Sequence, residues 1–438
     1  MTKLNKRELT LYFIFIMYVF FSCLSGKSAK FIFPYNGPWI NPQFLFGVVI
    51  IGLLYKEIKS NLVLSKNVKY ALGFVIIYMI SFIASFIMNQ YFYMSGIVEV
   101  IKVFGNVVLI YLVVSNTNKD TIKILLNSIV IVCVALVFLE VVGILAYKGY
   151  IPLPENLMNY VDSSIGPQQW IFIGKLTFIV PKFGVTYMET QNLSLILFIG
   201  YISILMLKRY YDEFSKFNKI SIWILSIAIF YNLSKAIIAC FMLFNVALLF
   251  FKYIKPKIKD SKKFYIMLFG IGIMLIGLVL VIFTSKEIMN LKDSNMSLIE
   301  YGKTSKSSIA QRVFLIAMGI ALLISNFKNL LVGLGPRQYG INLSHMKELE
   351  GLYGVESSAI SIFQVVIDVG LIGSIIFILF LNSIYRVIKN DVFKIISLTC
   401  IMIGTSPLPD YLPSIIWMIL GIIANEKIEN KSGISNLI

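Results

Sequence analysis

The sequence predicts an all-α polytopic membrane protein of about twelve transmembrane helices with two large outer-face loops, and three observations carry that prediction. Apolar runs of roughly 17 to 25 residues recur along the chain, the length that a ~30 Å hydrocarbon layer demands of a helix. Hydrophobic residues make up 58% of the 438 residues, charged residues 14%, and the mean hydropathy is +0.83. Soluble cores of this size do not conceal so much apolar surface. Lysines and arginines collect in short loops between the runs, the distribution of cytoplasmic loops. The ~10-residue alternating segments of a membrane barrel are not present. The net charge of +17 therefore marks topology and does not point to nucleic acid. All four cysteines fall within predicted spans and the chain has one histidine, so neither a disulfide framework nor a Cys/His metal or haem centre is expected.

Taken in order, a basic start, Met1 to Arg7, precedes the first apolar run, 9–25. A cleaved signal peptide is the rival reading, since Ser25, Gly26, Ser28 and Ala29 follow, but a retained anchor fits the alternation of the later loops. The second run, 39–55, leads into a loop, 56–69, with four lysines. Runs three and four, 70–89 and 97–115, are joined by an uncharged turn. Glu99 and Lys102 in the fourth share a helix face and read as an ion pair at the membrane boundary. Run five, 124–147, ends at a mixed segment, 148–192, whose Pro, Gly and polar residues make it the first large outer loop with short interfacial pieces. Runs at 193–207, 220–233 and 236–253 follow, the last two separated only by Ser234 and Lys235.

The most basic loop, 252–263, returns the chain to run nine, 264–283, and then to the second large outer loop, 285–357. Within that loop, 313–325 is apolar but short, and reads as an amphipathic or half-inserted helix. A full span there would put the basic loop 386–394 outside. Runs at 359–385, 392–405 and 411–424 complete one membrane domain, 1–438, with both termini cytoplasmic.

Chemistry-bearing residues are few and concentrate at 308–373. Arg337 closes the turn Gly333-Leu334-Gly335-Pro336-Arg337, in which glycines allow a tight bend and proline fixes it. Arg312 stands at the start of the short apolar stretch. Guanidinium forks match phosphate oxygens, so the two arginines read either as a clamp for a lipid-linked phosphate or diphosphate, or as partners of headgroups and outer-loop carboxylates. Lys235 would add charge at the same side, or simply snorkel there. His345 is a candidate acid/base or a solvated loop residue. Glu189 and Glu356 each precede a span, where they serve either as bases with raised pKa or as helix caps. Asp368, inside a span, must face the bundle interior, as a structural group or lining a cavity.

Four of these pieces resemble the O-antigen ligase/polymerase superfamily, and its Wzy-type polysaccharide polymerases in particular. They are Phe183-Gly184-Val185-Thr186-Tyr187-Met188-Glu189; Asn232-Leu233-Ser234-Lys235-Ala236; Gln311-Arg312 with Leu331-Val332-Gly333-Leu334-Gly335-Pro336; and Glu356-Ser357-Ser358 with Asp368-Val369-Gly370-Leu371-Ile372-Gly373. They cover roughly 183–373 in the family's order. The resemblance implies a GT-C-like architecture in a bacterial cytoplasmic (inner) membrane, without metal or other cofactor. It implies an undecaprenyl-diphosphate-linked oligosaccharide as both donor and acceptor, with a chain-length regulator as a further partner. Arg312, Arg337 and Lys235 would hold the departing diphosphate, with Glu356, His345 or Glu189 as base. The family's ligases carry His-Asn or His-Ser about eleven residues before the glycine of Gly-Leu-Ile-Gly, where this chain has Ala359-Ile360. That departure favours a polymerase over a ligase. A polysaccharide flippase is the other alternative, although no second copy of the Gly-Leu-Gly-Pro-Arg stretch marks a transporter repeat.

Overall fold

The computed structural model describes residues 5–24, 42–61, 65–89, 94–155, 158, 161, 169–173, 176–180, 190–232, 234–253, 308–344, 361–405 and 413–428. Run nine, 264–283, lies outside the described residues. The elements are helices α1 (Lys6–Ser22), α2 (Pro42–Asn61) and α3 (Lys66–Asn89), and then α4, which runs as Met94–Gly105, a π-helical turn Asn106–Tyr111 and a last turn Leu112–Asn116. They continue with α5 (Lys119–Tyr147), strands β1 (Gln169–Ile173) and β2 (Leu176–Val180), α6 (Thr190–Tyr211), α7 (Lys216–Tyr231) and α8 (Lys235–Tyr253). After the long loop come α9 (Ser308–Ile324), α10 (Phe327–Val332), α11 (Tyr339–Ser344), α12 (Ser361–Ile388), α13 (Val392–Thr405) and α14 (Ser414–Ala424).

Six helical segments among the described residues are long and apolar enough to cross a membrane: those at 66–88, 96–116, 119–147, 191–211, 236–253 and 363–388. Shorter apolar helices occupy 314–324, 392–405 and 414–424. The chain is a helical membrane protein.

Polar residues set several of the helix starts. Asn5 accepts from the Glu8 N–H while the Glu8 carboxylate accepts from the Asn5 N–H, both at 2.9 Å, a reciprocal cap on α1. The Asn118 and Ser215 side chains accept from the Thr121 and Asn218 N–H groups and so cap α5 and α7. One short hairpin accompanies the helices. Within 148–192, β1 and β2 pair antiparallel, with Gln169 opposite Val180 and Ile173 opposite Leu176. Trp-Ile-Phe-Ile facing Leu-Thr-Phe-Ile-Val is rich in the β-branched and aromatic residues that favour strands, and Gly174 lies between them in the sequence.

Helices α3 and α12 run antiparallel and pack extensively against each other. Phe74 and Phe377 lie 5.1 Å apart by ring centroid, and small residues at Gly73 and Gly373 bring the backbones together beside Ile376 and Ile77. Trp417 of α14 is fully buried against Phe380 and Tyr111. Among the described spans, helix α6 is the most enclosed. Elsewhere large apolar residues point outward in helical stripes, as with Ile76, Ile80, Ile83 and Ile87 on α3 and Ile220, Trp223 and Ile227 on α7. Water would not tolerate such stripes; lipid does.

Polar contacts tie together the end of the bundle farther from Arg337. Arg7 pairs with Glu57 at 2.6 Å, and Thr117 and Thr121 donate to the same carboxylate. The Asn425 amide donates to the carbonyls of Val114 and Thr117 at 2.9 and 3.0 Å, and Lys394 Nζ donates to the Asn425 carbonyl at 3.0 Å. These bonds put the start of α1 and the end of α14 on the same end of the bundle. Asn425 is fully buried, so Asn425→Leu should strip donors from two carbonyls and cost about 2–4 kcal/mol. A detergent melting curve indistinguishable from wild type would contradict that.

A candidate functional site at the Arg337 turn

The site begins with a broken helix. At Gly370 the backbone of α12 leaves helical geometry, with φ +62° and ψ −162°. Helix α10 ends at Gly333 with φ +82° and ψ −179°. Both conformations lie in a region that essentially only glycine occupies. The two glycines face each other. A Cβ on Gly333 would overlap the Asp368 carbonyl, and one on Gly370 would lie 2.6 Å from the Leu331 carbonyl oxygen.

The break frees the carbonyls of Ile367 and Asp368, which a continuous helix would bond to amides four residues later. The Leu334 N–H donates to Ile367 at 2.8 Å and the Gly335 N–H to Asp368 at 3.1 Å. The loop thus replaces the missing helical bonds. Helix α3 seals the junction, the Ser81 hydroxyl donating to the Asp368 carbonyl and the Ser85 hydroxyl to that of Leu334. Buried backbone groups at membrane depth require this complete pairing.

Helix α4 supplies the third wall. A Cβ on Gly96 would sit 3.0 Å from the Pro336 carbonyl oxygen and 2.7 Å from the Phe82 ring, so only glycine lets the turn approach so closely. One helical turn on, Glu99 meets the side chain of Arg337. Arg337 Nη2 donates to Glu99 Oε2 at 3.2 Å, while Lys102 Nζ donates to Oε1 at 3.3 Å. Arg337 itself has a left-handed backbone, φ +58°, fixed by the Gly335-Pro336 bend before it.

Helix α9 packs beneath the turn. Phe314, Met318 and Leu322 form a second core with Leu334, Tyr339 and Ile367, and the Tyr339 hydroxyl donates to the Leu315 carbonyl. Burial pushes the Tyr339 phenol above its ordinary range, which keeps it a donor. Partial burial lowers the Lys328 ammonium on α10. Past the break, Leu371, Ile372, Ile375 and Ile378 are exposed apolar residues. The stretch 371–388 is about 27 Å long at helical rise, close to the thickness of a hydrocarbon layer.

Of the sequence-predicted site residues, the structure brings together Arg337 and the backbone of Asp368. The Asp368 carboxylate is buried and accepts from Gln364 Nε2 at 2.6 Å. Arg312 is placed by its backbone in α9, three residues before the Leu315 carbonyl on which Tyr339 docks. Lys235 is the first residue of α8, and the preceding junction is tied to α6 through Asn232 Nδ2 donating to Ser194 Oγ at 2.9 Å. Glu189, His345 and Glu356 lie outside the described residues. The segment 331–336 of the third sequence motif and the segment 368–373 of the fourth therefore form one unit, and Asn232 of the second motif bonds to the helix that the first precedes.

Several contributors were not singled out from the sequence. Ser81 and Ser85 did leave a signal, being two hydroxyls four apart on one face of an apolar helix. Gly96 left none. Gln338 is another. Its side chain is fully buried and, among the described residues, neither amide atom has a hydrogen-bond partner. Burial of an unpaired amide costs about 1–3 kcal/mol, so Gln338→Met should raise the melting temperature in detergent; a fall would show that the amide is paired in solution.

Among known proteins, no family model matches the chain and no curated protein matches it. The geometry stands alone: a rigid turn at the end of a membrane bundle that holds a guanidinium beside a carboxylate and a second cation.

Proposed function

We propose that the chain is a membrane glycosyltransferase that polymerises undecaprenyl-diphosphate-linked oligosaccharide repeat units into O-antigen or capsular polysaccharide. It works at the outer face of a bacterial cytoplasmic membrane, with about twelve spans and both termini cytoplasmic. One observation supports the reading: Arg337 is held on an over-determined turn against the broken α12, a turn that this proposal sets at the outer membrane boundary. That is where the diphosphate of a lipid-linked glycan would lie.

In the reaction, an acceptor hydroxyl oxygen attacks the anomeric carbon of the donor glycan. The bond from that carbon to the diphosphate oxygen breaks, and the electron pair leaves with the diphosphate. Arg337, with Arg312 and Lys235, neutralises the charge that develops there, a preorganised electrostatic role. The acceptor's proton passes to a carboxylate or imidazole, for which Glu356, His345 and Glu189 are the candidates. Asp368 supports the turn through its carbonyl. As the resemblance implies, the chemistry uses no metal or nucleotide.

A second reading, a polysaccharide flippase, draws on the broken α12, since interrupted helices line transporter sites. One experiment separates the two. Purified protein incubated with a lipid-diphosphate repeat unit should yield a ladder of longer glycans on gel or by mass. Transfer only to a lipid A core acceptor would instead indicate a ligase. Translocation across proteoliposomes without a new glycosidic bond would indicate a flippase.

A further inference from the structure

We infer that Glu99 is an internal anion that occupies Arg337 in the free protein and is displaced by the diphosphate of the substrate. The inference rests on the diphosphate reading of Arg337 and extends the site to a residue 238 positions earlier in the chain.

Carboxylate and phosphate oxygens are the same kind of acceptor for a guanidinium. Glu99 Oε2 takes the place beside Arg337 Nη2 at 3.2 Å that a phosphate oxygen would take. The contact is built rather than incidental. Gly96 and Glu99 are three apart and share one face of α4; Gly96 admits the Pro336 carbonyl and Glu99 receives the next side chain. The Glu99 side chain is 10% exposed and that of Arg337 20%, so water screens the pair only partly.

Lys102 makes the exchange inexpensive. It already holds the other oxygen, Oε1, at 3.3 Å. When Arg337 turns to a ligand, the carboxylate keeps a cation instead of being stranded in a half-buried position. Breaking a buried pair is costly chiefly because one charge is left alone.

The test is binding of geranylgeranyl diphosphate to the full-length protein in detergent. It is read as the ligand-induced rise in melting temperature across a concentration series, a readout that reports only folded protein. Geranylgeraniol controls for the tail and inorganic pyrophosphate for the headgroup. Glu99→Gln keeps the side-chain shape and removes the carboxylate charge that Arg337 faces. It should tighten diphosphate binding about fivefold, the factor that about 1 kcal/mol of pair energy corresponds to, and leave geranylgeraniol unchanged. A folding defect could only weaken binding, so the sign itself discriminates. The gain should vanish in an Arg337→Gln background.

Unchanged or weaker binding by E99Q, with R337Q impaired, would overturn the role of Glu99 and leave the diphosphate reading standing. An equal gain with and without Arg337 would reduce Glu99 to bulk charge and also overturn it. Wild-type binding by R337Q would sink the reading and the inference together. Should E99Q be too unstable to purify, Lys102→Met supplies the second variant. It leaves Glu99 to Arg337 alone and should weaken diphosphate binding without affecting the alcohol; equal binding would overturn the exchange.

Discussion

Alanine at Gly370 or Gly333 is expected to destabilise the protein by at least about 3 kcal/mol and to lower its melting temperature sharply in detergent. Two costs combine at each position. The backbone sits where L-residues are strained, at φ +62° and +82°, and the added methyl would strike backbone atoms, which cannot rotate away as a side chain can. Relief requires the turn to leave α12. That would strand the carbonyls of Ile367 and Asp368 and the hydroxyls of Ser81 and Ser85 together. Gly52→Ala is the control, because a Cβ there meets nothing within 4 Å. Mid-helix alanine should be neutral or stabilising by up to about 1 kcal/mol. Equal melting of the G370A and G52A variants would refute the interlocked turn.

Arg337→Ala and Arg312→Ala are each expected to abolish long-chain glycan while leaving membrane insertion intact. Loss of one preorganised donor to a developing oxyanion commonly lowers rate by roughly 10²–10³, enough to collapse a ladder to single repeats. Loss of the Glu99 contact should by itself cost R337A little stability. The ion pair with Glu99 is partly exposed and worth about 1 kcal/mol or less, and Lys102 stays on the carboxylate. Arg337→Lys keeps the charge but loses the planar fork, so it should fall between the two. A wild-type ladder from well-expressed R337A protein would remove the diphosphate clamp.

Much of the frame was legible in the sequence because membrane helices announce themselves. Runs at 70–89, 124–147, 236–253 and 392–405 correspond to α3, α5, α8 and α13, since hydrocarbon thickness sets the length of an apolar run. The short stretch at 313–325 corresponds to α9, which starts earlier, at Ser308. Its first residues, Ser308-Ile309-Ala310-Gln311-Arg312, mix polar and apolar side chains and mark no clear beginning. The β1–β2 hairpin was hidden because ten residues of strand look like any half-polar loop when helices dominate the count.

The site was half legible. Gly-Leu-Gly-Pro-Arg announced a rigid turn, because glycine and proline carry their backbone consequences locally. What the turn leans on could not be read. Glu99 and Lys102, three apart on one helix face, read as a self-contained ion pair, and the structure shows that pair at 3.3 Å with Arg337 added to it. Gly96, Ser81 and Ser85 read as ordinary residues of membrane helices until the turn arrives against them.

The sequence by itself determined that the chain spans a membrane, where most of its helices run, and that Arg337 would be held on a stiff bend. Only the tertiary structure decided that the bend fills a break in α12 and that its arginine is shared with α4. The physical reason is that helix formation depends on nearby residues and on solvent, which a window of sequence contains. The partner of a freed carbonyl or a half-buried cation is set by which distant helix packs there, and in this chain that helix is more than two hundred residues away.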